Sequence, residues 1–219
     1  MYAHASELSY FTGRFSYPAS DPTVGGGLMA YLSFAYPRHS HDFGSRITAL
    51  PAAGHVPGLP GWRWGHTSGH TFGHVSFFRE RDKVLVAGDA FTTVFVESGL
   101  DTLMQKQEVH GPLAYFSPDW DAARASVELA RMSPEVAATG HGIPMHGENL
   151  RSQLTVVARR FDAVARPKTG RYVQQPATAD ASGVTSVPPP AGKLGLKVAV
   201  VAGLALGAVA LAGAGRKKG

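Results

Sequence analysis

Cysteine is absent from all 219 residues. That excludes disulfides and thiolate zinc sites and leaves histidine and carboxylate as the transition-metal ligands on offer. Redox usage therefore says nothing about compartment. Acidic residues are also scarce, 16 Asp and Glu against 21 Lys and Arg, for a net charge of +5. The excess does not mark a nucleic-acid face. Lys193, Lys197, Arg216, Lys217 and Lys218 bracket one C-terminal apolar run, and no stretch interleaves basic residues with aromatics. No nucleic-acid partner is expected. A basic-then-apolar leader is missing from the first residues, so the globular part is expected to be cytoplasmic. A hydrophobic fraction of 44 % suits one sizeable core, hence one domain plus appendages.

Against these gaps stands a dense histidine stretch, residues 62–89, which places His66, His70 and His74 at a four-residue period. Such spacing could line one face of a helix. Gly65, Gly69 and Gly73 oppose that, because each would cost a helix interior about 1 kcal/mol relative to Ala, and Thr67, Ser68 and Thr71 prefer turns. A strand at 62–66, a Gly-rich loop and a second strand at 75–78 fit better. The histidines then read either as a metal site or as loop histidines bonded to backbone. Next, residues 84–87 form a short apolar run expected to be a fully buried strand, and Gly88 and Asp89 follow it at once. Asp89 would there meet a cation, or else serve as an Asx-turn or helix cap. A third apolar strand, 136–138, ends in Thr139, Gly140, His141 and Gly142.

The motifs HTSGHTFGHV, LVAGDAF and ATGHG, in this order, resemble the later metal motifs of the metallo-β-lactamase-fold hydrolases. The resemblance runs from the N-terminus to about residue 172. It implies an αββα sandwich of two mixed sheets and a centre of two Zn2+ ions. His70 would be a ligand, Asp89 the metal-bridging and catalytic carboxylate, and His141 the last histidine. His66, His74 and His146 would be supporting or substrate-side residues. The family's first motif, HxHxDH, is not present. Arg38, His39, Ser40, His41 and Asp42 match it only in part, lacking the closing histidine, and read as polar loop. The N-terminal part of the fold is thus expected to be missing, and two ligands per metal with it. A small-molecule thioester, ester, lactam or phosphoester is the implied substrate. The competing expectation is a catalytically impaired, membrane-tethered remnant, or a mis-started fragment lacking half of its zinc ligands.

Residues 16–60, rich in Pro and Gly, read either as a pocket wall or as a surface excursion. A helix is expected to start at Ser117 as N-cap with Pro118 at N1, and another to run over 147–164 with Leu150, Leu154, Val157 and Phe161 inward. The domain is bounded at 1–173, followed by a Pro/Ala/Ser-rich linker at 174–197. Residues 198–214 carry no charge and, at 1.5 Å per residue, would extend about 26 Å as a helix, close to a bilayer's hydrocarbon thickness. They are expected to be a transmembrane anchor with a basic tail at 215–219. Gly203 and Gly207 offer a small-residue face for homodimerisation.

Overall fold

The computed structural model describes residues 1–180 and 183–191. Its centre is a five-stranded mixed sheet in the order β3 (Trp62–His66), β4 (Val75–Arg79), β5 (Val84–Gly88), β6 (Val136–Thr139), β7 (Met145–His146). Two small sheets accompany it. Tyr2–Ala3 (β1) pairs in parallel with Thr48–Ala49 (β2), and Thr178–Asp180 (β8) pairs with Gly183–Ser186 (β9). The described residues therefore hold one large sheet rather than the expected two. Short helices α1 (Leu8–Phe11), α2 (Leu28–Leu32) and α3 (Gly99–Met104) lie in the connections. They are followed by α4 (Trp120–Ser126), α5 (Gly147–Arg159), α6 (Phe161–Val164) and α7 (Arg171–Gln174).

Strand alternation decides which face is covered. Leu85 and Ala87 of β5 are completely buried, whereas Val86 between them is 37 % exposed, so this strand is covered on one face and not on both as its apolar run suggested. Leu85 and Ala137 share one core with Trp120, Ala123 and Val127 and with Leu150, Leu154 and Phe161. Each large aliphatic side chain buried in this way contributes about 1.5–3 kcal/mol. The expected inward positions of the C-terminal helix are all buried, but that helix is interrupted. Arg160 leaves helical geometry at φ −120°, ψ 25°, separating α5 from α6.

Two other expectations are corrected. The cap of α4 is Asp119, not Ser117, since the Asp119 carboxylate accepts from the backbone N–H of Asp121 at 3.1 Å and of Ala122 at 2.9 Å. Ser117 instead donates to Leu113 O at 2.7 Å. The stretch assigned to a linker begins as the β8–β9 hairpin, and Ala177 just ahead of it is buried in the main core, its N–H bonded to Pro118 O at 2.9 Å. Among the described residues no helix is long and apolar enough to cross a membrane. The expected anchor at 198–214, its Gly203/Gly207 face and the basic tail lie outside the described residues.

Candidate metal centre

Sheet polarity assembles the site. β3 and β5 are both antiparallel to β4, and β5 is parallel to β6, so β3, β5 and β6 deliver their carboxyl ends to the same edge. The residues just beyond those ends are the histidine loop, Asp89 and His141. A register shift between Val86 and Gly88 advances β5 relative to β6 and brings Gly88 opposite Thr139.

The structure brings His70, Asp89 and His141 together. His70 Nε2 lies 3.4 Å from Asp89 Oδ2, and His141 Nε2 lies 3.8 Å from Asp89 Oδ1. His70 and Asp89 are largely covered, with side-chain exposures of 15 % and 22 %, while His141 at 43 % faces outward. Burial, the dominant influence, lowers the His70 pKa; the Asp89 carboxylate pulls it back up and His141 pushes it down again. The imidazole is therefore held neutral, the form that ligates metal. Asp89 Oδ1 and His70 Nδ1 are buried and have no hydrogen-bond partner.

Asp89 is held by its backbone. Its N–H donates to His74 Nε2 at 2.9 Å, which makes that nitrogen the acceptor and places the His74 proton on Nδ1. Nδ1 sits 3.0 Å from Thr67 O and 2.9 Å from Thr67 Oγ1. Burial is again the main influence lowering the His74 pKa. Two glycines give the carboxylate room. A Cβ on Gly88, whose φ is +57°, would stand 2.5 Å from His74 Nε2, and one on Gly140 would stand 2.3 Å from Asp89 Oδ1.

His141 is fixed by two threonines that the sequence did not single out. Thr139 Oγ1 donates to His141 O at 2.7 Å, Thr93 N–H to the same oxygen at 3.2 Å, and Thr93 Oγ1 to Ile143 O at 2.8 Å. Thr93 is completely buried. Its signal in the sequence is only a Thr-Thr pair after GDAF, which is indistinguishable from a strand start.

The other expected supporting residues divide. His74 touches Asp89, as above. His66 Nε2 is 2.8 Å from Phe72 O and its ring stacks on His4 at 4.0 Å, so it braces the loop and the N-terminal segment rather than reaching the carboxylate. His146 is a correction. It is exposed and pairs with Val136 at the start of β6, the far end from His141, because β7 is antiparallel to β6 and only two residues long. The partial motif at 38–42 holds no ligand cluster either; Asp42 accepts from the Gly44 N–H at 2.7 Å in a local turn.

Donors sharing one ion at 2.0–2.1 Å in tetrahedral geometry are about 3.3 Å apart, so the His70–Asp89 separation fits a common metal and the His141–Asp89 one is slightly wide. The two imidazoles face different oxygens of the Asp89 carboxylate. Among the described residues no three His, Asp or Glu side chains are gathered tightly enough to hold a metal ion as they stand. The gathered donors are of types that bind metal but fall short of a complete set. Beside His70 opens a cavity of about 280 Å3, lined also by Thr71, Phe116 and Pro118 and by residues of the 16–60 region, which therefore forms a wall and not only an excursion.

The chain as a whole is similar to known proteins. The Metallo-beta-lactamase superfamily profile matches residues 2–141. Probable metallo-hydrolase YflN of Bacillus subtilis (strain 168) is 50 % identical over 165 residues, covering 75 % of this chain and 62 % of that relative. Probable metallo-hydrolase YybB of the same organism is 24 % identical over 143 residues, 65 % of this chain and 52 % of its own length. The chain thus spans between about half and two thirds of the curated relatives it matches. Among solved structures, the metallo-beta-lactamase family protein TTHA1429 from Thermus thermophilus is 19 % identical with a TM-score of 0.42, covering 74 % of this chain and 52 % of that one. Matched over residues 2–141, which take in β1 through β6 and all three gathered side chains, this chain belongs to the metallo-beta-lactamase superfamily.

Proposed function

We propose that the chain carries the carboxyl-end half of a metal-dependent hydrolase centre, with His70 and His141 as ligands and Asp89 bridging between them. Zinc is a metal this donor set suits, since it offers only imidazole and carboxylate and zinc accepts both, as iron does. The observation that carries the reading is the Asp89 carboxylate set between two imidazoles, with Oδ1 buried and accepting no hydrogen bond from the described residues. A buried anion left in that state calls for a cation. When bound, the metals would lower the pKa of a water and polarise the ester, thioester, lactam or phosphoester under attack.

The chain's own residues perform the positioning. His74 fixes the Asp89 backbone, Thr93 and Thr139 fix the His141 loop, and the cavity beside His70 receives a small-molecule substrate. Each metal position has two protein donors where a catalytic zinc has three. That shortage favours a second reading, in which the isolated chain is catalytically impaired. Zinc titration of the purified chain, followed by gel filtration and metal analysis, tests both. The expected outcome is zinc that binds weakly, is lost on filtration, and no longer binds after Asp89→Ala. Binding indifferent to Asp89→Ala would overturn the site. Two zinc ions retained per chain, with hydrolysis abolished by Asp89→Ala, would overturn the impairment.

A further inference from the structure

The cavity beside His70 is lined by two tyrosines whose hydroxyls are engaged within the protein, by apolar side chains, by Thr71 and by one cation. Tyr17 donates its hydroxyl to Glu7 Oε2 at 2.7 Å, and Tyr172 donates its own to Ala19 O. Both rings thus present only their faces and edges to the space between them. Phe116 and the prolines add apolar wall. His70 turns Nε2 toward Asp89 at 3.4 Å and so presents that nitrogen to the carboxylate rather than to the cavity. Arg38 remains. It is exposed, lines the cavity, and forms no ion pair among those found in the described residues, where most other guanidinium and ammonium pairs run to Asp or Glu outside this region. An arginine keeps its charge at any pH the fold survives.

The backbone beneath Arg38 is anchored. Tyr17 N–H donates to Arg38 O at 3.3 Å, and Tyr36, two residues earlier, packs its ring against Tyr115 at 6.1 Å and Phe116 at 5.7 Å. Pro37 between them fixes φ. Burial raises the Tyr172 pKa, while Arg171, 5.8 Å from its ring centre, and more weakly Arg38 pull it down, so the Arg38 charge is felt at the aromatic wall. An apolar cavity whose lining includes one cation without an ion pair among the described residues selects amphiphilic anions.

We infer that Arg38 is the anion-recognising residue of this pocket, and that the ligands it takes are small carboxylates with an apolar or aromatic body. This deepens the hydrolase reading, on which it rests for the word substrate: the molecule hydrolysed would be an acyl compound that carries, besides the scissile bond, a carboxylate held by Arg38. The aromatic walls take the apolar body while the scissile end points to the His70 side.

Binding tests this without hydrolysis. The full chain is titrated with phenylacetate and with its neutral isostere phenylacetamide, with a chelator present, and followed by NMR line broadening of the ligand. Phenylacetate should bind about five- to tenfold more tightly than phenylacetamide, as a charge-assisted pair on a partly solvated arginine allows. The preference should vanish in Arg38→Gln, survive in reduced form in Arg38→Lys, and weaken with added salt. Equal binding of the two probes by the unaltered chain would overturn the proposal. So would an undiminished preference in Arg38→Gln, whose folding is checked by circular dichroism. If the anion preference follows Arg38 while metal-dependent hydrolysis is absent, the hydrolase reading fails and the anion subsite stands; hydrolysis with no anion preference gives the reverse.

Discussion

His74 illustrates how one side chain can be indispensable to a site without being a ligand. Its imidazole spans the floor of the loop, accepting from the Asp89 N–H on one nitrogen and facing Thr67 O and Oγ1 on the other. Without the ring the Asp89 N–H would be left pointing at a space, and the left-handed Gly88 has no Cβ because one would strike that ring. His74→Ala should therefore cost about 2 kcal/mol, the range for a buried donor left unsatisfied. Urea denaturation measures it, and a midpoint within error of the parent would show that water replaces the ring at no cost. His66, only eight residues earlier, looks identical in the sequence yet bonds Phe72 O and stacks on His4. Residue type and four-residue spacing cannot separate these roles, because the loop's turns, not its periodicity, decide which way each imidazole faces.

At the scale of elements, the strands were legible and the ends of helices were not. The Gly-rich interruption between two apolar stretches set the β3 and β4 limits, since glycine and threonine oppose helix there, and the structure places those strands at Trp62–His66 and Val75–Arg79. The α4 cap shows the opposite. Ser117 and Pro118 match the helix-start pattern, but Asp119 two residues later offers a stronger acceptor and takes the cap, so two adequate signals in a row competed and the later one won. Asp119→Ala should destabilise the protein by about 1 kcal/mol in thermal or urea unfolding, while Asp119→Asn, which keeps a capping oxygen, should be nearly neutral. A loss confined to Ser117→Ala would restore the sequence's assignment. The β8–β9 hairpin was missed for a related reason: its Ala, Thr, Gly and Ser residues have linker composition, and what holds the segment is Ala177 in the core and a backbone bond to Pro118, neither visible as periodicity. Thr93 and Gly140 were likewise invisible, because a clamp on a carbonyl and a clearance for a carboxylate exist only once β5 and β6 lie side by side.

For the molecule as a whole, several histidines are partly buried in surroundings that resist protonation, which predicts acid sensitivity. Burial is the largest influence lowering the pKa of both His4 and His110 below the ordinary histidine value of 6.5. His4 is further lowered by His66 stacked on it, against a smaller upward pull from Glu7. His110 faces Glu108 and Asp101, which raise its pKa, and Lys106, which lowers it, beside the Phe95 ring at 5.0 Å. In the unfolded chain both imidazoles take a proton as pH falls through about 6.5, whereas the native ones remain neutral to lower pH. The unfolded state then binds more protons, so stability must fall as pH drops. Glu97 acts in the other direction, because burial raises its pKa and the native state gains its proton first, but it is one carboxyl against two imidazoles. Between pH 7.5 and 5.5 the histidines should prevail. Thermal melts across that interval, with a chelator present so that metal loss plays no part, should show Tm decreasing toward pH 5.5. His110→Gln should make the decline shallower by removing one of the contributing groups, although its absolute Tm shifts as well. A Tm that is flat or rises toward pH 5.5 would mean that Glu97, and not the histidines, sets the proton balance of this fold.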